Sequence, residues 1–115
     1  MSLKIYHNPR CSKSRQTLAL IENAGVEVET VLYLQDSLSE AQIKDLIVKL
    51  GCSSARELMR KGEAIYKELN LKNEHDETAL IAAMATHPKL IERPIVVKGN
   101  SAILGRPPEN AKKFL

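Results

Sequence analysis

Leu3-Lys4-Ile5-Tyr6-His7-Asn8-Pro9-Arg10-Cys11-Ser12-Lys13-Ser14-Arg15 passes from a short apolar, β-favouring run through a turn into polar residues that a helix accepts. Leu3 to Tyr6 reads as a strand. Asn8-Pro9 ends it, because Asn initiates turns and Pro9 has no N–H with which to continue a ladder. From about Ser12 the apolar spacing turns helical, with Leu18, Ile21 and Leu20, Ala24 on one side and Gly25 where a C-cap belongs. Val26 to Tyr33 then reads as a second strand, Val26 and Val28 alternating with Glu27 and Glu29. A strand, a helix and a strand in so short a span predict a β-α-β unit, in which parallel strands are joined by a right-handed helical crossover.

Outward from this unit, the middle of the chain has helical period. Ser39-Glu40-Ala41-Gln42 is a capping box, and Ile43, Leu46, Ile47 and Leu50 form a stripe that stops at Gly51. Ser54-Ala55-Arg56-Glu57 is a second box, opening a short helix that Gly62 ends. Further helical turns are expected over Ala64 to Leu69 and Glu77 to His87, the latter stopped by Pro88. Ile95-Val96-Val97, a Gly99-Asn100 turn and Ala102-Ile103-Leu104 predict a hairpin, and Pro107-Pro108 starts a last helix to Leu115. The expected fold is α/β and thioredoxin-like (β-α-β, then β-β-α), with a helical insertion over roughly 38–90 between the second and third strands. The whole of 1–115 is expected to be one domain.

Composition narrows the function classes. With 43% hydrophobic and 27% charged residues the chain is an ordinary globular one. One Phe, three Tyr and no Trp give little aromatic surface for stacking bases, so nucleic-acid binding is not expected. The formal charge of +3 comes from 17 Lys and Arg against 14 Asp and Glu, scattered along the chain. No apolar run reaches the ~18 residues of a membrane span and no charged-then-apolar leader is seen, so a cytoplasmic protein is expected. Two cysteines are too few for a secreted disulfide scaffold. Three dispersed histidines (His7, His75, His87) without CxxC or HxxxH spacing predict no metal site.

The chemistry converges on Cys11. It stands between a strand end and a helix start, where unpaired N–H groups and the helix dipole favour an anion, and Arg10, Lys13 and Arg15 add positive charge. A free thiol with a pKa of about 8.5 is only a few per cent thiolate at neutral pH, and such surroundings commonly lower it below about 7. A lone cysteine is most often a small buried apolar residue. That reading fits Cys52, which follows Gly51 at a helix end with no flanking cation and is taken as structural. Two rival motifs fail directly: a phosphatase-type loop needs Arg where Thr17 stands, and a dithiol motif needs Cys where Ser14 stands. A monothiol mechanism follows, in which an external thiol, or Cys52 after a large movement, completes the reaction.

Four ordered blocks then resemble a known family, the glutaredoxin-coupled arsenate reductases, along essentially the whole chain. They are Ile5-Tyr6-His7-Asn8-Pro9 leading to Cys11-Ser12-Lys13-Ser14-Arg15, then Leu58-Met59-Arg60-Lys61, Arg93-Pro94-Ile95-Val96-Val97, and Gly105-Arg106-Pro107-Pro108-Glu109. The resemblance implies that Cys11 is the nucleophile and that Arg60, Arg93 and Arg106 line an oxyanion site. His7 and Ser14 would support the nucleophile. Arg forks give permanently charged, bidentate hydrogen bonds to tetrahedral oxyanions, which makes sense of the set. Arg10, Lys13 and Arg15 are left as background charge and Arg56 as surface.

The implied activity is reduction of arsenate to arsenite, with glutathione as co-substrate, glutaredoxin as partner and no bound cofactor. The Cys-Ser-Lys-Ser loop resembles a chromosomal branch of the family rather than the Cys-Gly-Thr-Ser of the plasmid-resistance type. Two alternatives stand beside it: a glutathione-dependent thiol/disulfide oxidoreductase of other substrate, and a non-catalytic regulator of the Spx type, which binds RNA polymerase. The latter carries a CxxC switch that Ser14 removes here.

Overall fold

The computed structural model describes residues 3–115, which fall into two compact units: the stretch up to Asp36 together with Arg93–Leu115, and Ser37–Glu92. The first unit is built on a four-stranded sheet of order β2-β1-β3-β4. Strand β1 (Leu3–Tyr6) pairs in parallel with β2 (Val28–Val31), Leu3 opposite Val28 and Tyr6 opposite Val31. Helix α1 (Ser12–Asn23) is the crossover between them. Strand β3 (Ile95–Lys98) runs antiparallel to β1, Ile5 opposite Val96, and β4 (Ser101–Leu104) follows by a hairpin. Gly99, at φ +59°, supplies the positive φ that such a two-residue turn needs at its first central position. Ile95, Val96 and Val97 are all buried, the near-continuous apolar run of a strand covered on both faces.

Leu3, Ile5, Ile21, Val96 and Ala111 form the core of this unit, with Leu18, Val26, Val28, Ile103 and Phe114 packed against it. Helix α1 and the C-terminal 3-10 helix (Pro108–Phe114) also pack on each other. The arrangement is the thioredoxin-like one. Two details differ from the sequence reading. Strand β2 is shorter than Val26–Tyr33, because Val26 N–H is used on Ile21 O to close α1 and a turn begins at Leu32, whose carbonyl accepts from Gln35 and Asp36. The last helix is 3-10 rather than α; there Asn110 Nδ2 donates to the carbonyls of Leu104 and Arg106.

The helical unit follows its caps. Helix α2 (Glu40–Leu50) begins at the predicted capping box, Gln42 N–H on Ser39 Oγ (3.1 Å) and Ser39 N–H on Gln42 Oε1 (2.8 Å), and ends at Gly51 in the left-handed conformation. It packs on α4 (Glu77–Thr86), whose N-cap Asp76 accepts from Thr78 N–H. The short α3 spans Ala64–Glu68. The Ser54 box opens only a 3-10 turn, Ala55–Leu58, which stops well before Gly62. The chain goes extended there because Met59 pairs with Ile91, while Arg60 N–H bonds Leu90 O (2.7 Å) and Glu92 N–H bonds Leu58 O (2.8 Å).

Arg56 corrects the reading as a surface residue. It is half-buried, and its guanidinium donates to Tyr66 Oη (2.6 Å), Leu71 O (2.9 Å) and Glu74 O, tying the 3-10 turn to α3 and the turn after it. Removing it would strand three acceptors, a mechanism that costs about 1–3 kcal/mol per buried group.

Candidate active site

The loop carrying Cys11 is set by its own backbone. His7 N–H still bonds β2 at Val31 O (2.9 Å), so the strand delivers its end to the turn in fixed register. Asn8 then closes the turn twice, its Oδ1 accepting from Arg10 N–H (3.0 Å) and its carbonyl from Cys11 N–H (3.0 Å). Arg15 braces the far side, Nη1 donating to Pro9 O (2.9 Å). Cys11 is thereby the N-cap of α1, in extended conformation and 8% exposed.

An N-cap side chain sits where the first N–H groups of the helix lack partners. The Cys11 thiol closes no capping hydrogen bond, yet these groups favour its anion. Burial alone would raise the thiol. The N–H groups of Ser14 and Lys13 and the guanidinium of Arg93 outweigh it, and the Cys11 pKa falls below the ordinary thiol value.

Ser14 faces inward from the first turn of α1 and is fully buried. Its Oγ accepts from Asn8 N–H (3.1 Å) and lies 2.6 Å from Nδ1 of the buried His7. Burial, reinforced by Arg15 and opposed by Glu22, pushes His7 below the ordinary histidine value. In a neutral ring with its proton on Nε2, Nδ1 accepts the Ser14 hydroxyl proton, so Asn8, Ser14 and His7 satisfy one another. The three form a polar brace within the loop that carries Cys11.

The three arginines of the resemblance are placed very differently. Arg93 precedes a cis peptide to Pro94, and its charge lowers the Cys11 thiol. Its Nε and Nη1 are buried without a hydrogen-bond partner. Two such donors cost about 1–3 kcal/mol each until an acceptor arrives, and an oxyanion would supply acceptors. Arg106 precedes a second cis peptide, to Pro107, and is exposed. Arg60 lies in the helical unit, where Glu63 Oε2 (2.7 Å from Nη1) and Glu92 Oε1 (3.4 Å from Nε) neutralise it. Cys11, His7, Ser14 and Arg93 therefore come together. Arg10 and Lys13 are exposed, whereas Arg15 is a loop brace rather than background charge.

Two neighbours receive no role from the sequence. Thr17, considered only as the residue standing where a phosphatase loop needs Arg, is fully buried and hydrogen-bonds Gly105 O (3.2 Å); Gly105 in turn donates to Pro94 O (2.9 Å). Nothing in either residue's local pattern marks it.

A cavity of about 290 Å³ adjoins the loop, lined by His7, Asn8, Pro9, Arg10, Leu32, Leu34 and Gln35. A larger one, about 540 Å³, lies in the helical unit among Arg56, Lys61, Tyr66, Lys67, Asn70 and Lys72. The larger is lined by Arg, Lys, Tyr and Asn and by neither Cys, His, Asp nor Glu, so size does not locate the chemistry. Cys52 is the other free thiol, and burial together with Glu57 raises it. Among the described residues no cluster of three His, Cys, Asp or Glu could hold a metal ion, and no helix is long and apolar enough to cross a membrane.

Residues 6–114 match the model of the ArsC family. A protein of Escherichia coli bearing the name "Uncharacterized protein YfgD" is 58% identical over 114 residues, covering 98% of this chain and 96% of its own length. An arsenate reductase of Haemophilus influenzae is 47% identical over 116 residues and is covered, like this chain, at 100%. The solved structure of an arsenate reductase from Vibrio cholerae superposes with a TM-score of 0.97 at 52% identity, over 100% of this chain and 98% of that one.

Proposed function

The chain belongs to the ArsC family, and on that premise we propose that it is an arsenate reductase working through Cys11 with glutathione and glutaredoxin as electron donors. The observation that carries the reading is the pairing of a thiol with a lowered pKa at the start of α1 with an Arg93 whose buried Nε and Nη1 have no partner. One supplies a nucleophile and the other an unfilled charged donor pair, which suits an oxyanion substrate.

In the proposed reaction the Cys11 thiolate attacks arsenic(V) and one arsenate oxygen leaves as water after protonation. Arg93 holds the remaining oxygens and offsets charge that grows on them during attack. Arg106 and Arg60 are proposed to complete the oxyanion site. His7 and Ser14 keep the loop in place. A glutathione thiol displaces a second oxygen, which leaves as water with the thiol proton, giving arsenic bonded to both sulfurs. A glutaredoxin thiolate then attacks the glutathione sulfur. The sulfur–sulfur bond forms, the arsenic–sulfur bond breaks, and its electron pair stays on arsenic, which becomes arsenic(III). Water cleaves the remaining bond, releasing arsenite and the Cys11 thiol. Ser14, standing where a dithiol enzyme has its second cysteine, is why an outside thiol is needed.

NADPH consumption with arsenate, glutathione, glutaredoxin and glutathione reductase tests this beside a Cys11→Ser control. Arsenate-dependent turnover that disappears in the control is expected. No turnover, with Cys11 still forming a glutathione mixed disulfide, would replace arsenate by a disulfide as the substrate.

A further inference from the structure

Whereas a Cβ added at Gly25, Gly51 or Gly62 would meet nothing within 4 Å, Gly105 is closely packed. Its φ lies outside the left-handed region, so it is there for space rather than backbone freedom. A Cβ added to it would come within 2.7 Å of Thr17 Oγ1, 2.9 Å of Thr17 Cγ2 and 2.8 Å of Pro94 Cγ, closer than packed carbon atoms tolerate. Thr17 itself is fully buried, with a single hydroxyl proton shared between Lys13 O (2.8 Å) and Gly105 O (3.2 Å). Gly105 N–H reaches Pro94 O (2.9 Å), and Pro94 is buried next to Arg93.

We propose that Thr17 and Gly105 are positioning residues, which register the helix bearing Cys11 against the Arg93-Pro94 segment so that the guanidinium faces the thiol. The link runs from Cys11 down α1 to Thr17, across to Gly105 through the hydroxyl, and on to Pro94 through the Gly105 N–H. Neither residue touches the reacting atoms. Each acts on the pair through Arg93, by a hydrogen bond on one side and the lack of a side chain on the other. The proposal rests on the reading of Cys11 and Arg93 as partners at the reacting centre, but not on arsenate being the substrate.

The test is the pH profile of Cys11 alkylation by iodoacetamide, read by mass spectrometry, in Thr17→Val, Thr17→Ser and Gly105→Ala, each with and without Arg93→Gln. Thr17→Val keeps the volume and loses the hydroxyl, so it serves if Gly105→Ala does not fold. In Thr17→Val and Gly105→Ala the profile should move to higher pH and the rate at pH 7 should fall by roughly threefold or more. Thr17→Ser should restore it. In the Arg93→Gln background neither change should add anything, since the effect is carried by Arg93. A Thr17→Val protein that melts earlier with an unmoved profile would overturn the proposal, as would an equal shift in both backgrounds. A wild-type profile like that of a free thiol would instead defeat the reading of Cys11 on which it rests. Absence of arsenate turnover alone would leave this test standing.

Discussion

The two thiols of this chain occupy opposite ends of helices. Cys11 caps the start of α1, whereas Cys52 follows the left-handed Gly51 that ends α2, its N–H bonded to Ile47 O. The helix dipole favours an anion at the first place and opposes one at the second. Neighbours deepen the contrast. Arg93 faces Cys11, while Cys52 lies near Glu57, a carboxylate kept ionised by hydrogen bonds from Ser53 and Ser54. Burial pushes both thiols up, and only Cys11 has groups that overcome it. The same residue type thus has its anion favoured or disfavoured according to which helix end and which charge it meets. Arg93 and Arg60 repeat the lesson: one has buried donors without a partner, the other is held between two carboxylates.

The strongest way to break the contrast is to exchange the thiols for hydroxyls in turn. Cys11→Ser should lower arsenate turnover by more than about a thousandfold, in keeping with losses seen when a nucleophile is removed, and Cys52→Ser should leave it within about twofold; the coupled assay reads both. Comparable losses in the two variants would abolish the distinction. Arg93→Gln comes next. Gln keeps one neutral donor, so the net loss is about one charged hydrogen bond, worth about 1.5–3 kcal/mol, and kcat/KM should fall by roughly 10- to 150-fold while the Cys11 alkylation profile moves to higher pH. Ser14→Ala leaves Asn8 N–H and His7 Nδ1 without their partner. It should cost about 1–3 kcal/mol in urea unfolding.

The smallest effect is in stability against pH, and its sign differs between the thiols. The folded value of Cys11 lies below its unfolded one, so its contribution is complete above the unfolded thiol's pKa and is lost as pH falls through the folded value. The folded value of Cys52 lies above, so its contribution is present below the unfolded pKa and is lost as pH rises through the folded one. Urea unfolding of Cys11→Ser and Cys52→Ser over about pH 6 to 10 should give differences from wild type of opposite slope.

Much of this was legible in the sequence wherever the determining forces are local. The β1-α1-β2 unit, the hairpin and the Ser39 box follow from period, turn residues and caps, and the pairing found in the sheet agrees with them. Cys11 is legible for the same reason, because strand end, turn and helix start are contiguous. What depends on distant partners was not. The inward face of α1 is Ser14, Thr17 and Ile21, two of them polar, and an apolar stripe cannot announce side chains buried by their hydrogen bonds. The 3-10 turn at Ala55–Leu58 ends where Leu90 and Glu92 take its backbone, some thirty residues along the chain. Arg56 reads as a surface cation until Tyr66 is in place, and Arg60 is held by both its carboxylates, Glu63 and Glu92, only once Glu92 is brought near. Gly105 carries no sign of the crowding around it until Thr17 and Pro94 are brought to it.

The proposal that Cys11 is a reactive thiolate whose partner Arg93 takes an oxyanion is tested most directly by alkylating both cysteines in one sample, with and without arsenate. Cys11 should react faster than Cys52 at pH 7, the gap should narrow as pH rises through the thiol range, and arsenate should slow Cys11 alone. Equal rates for the two thiols, with no protection of Cys11 by arsenate, would contradict it.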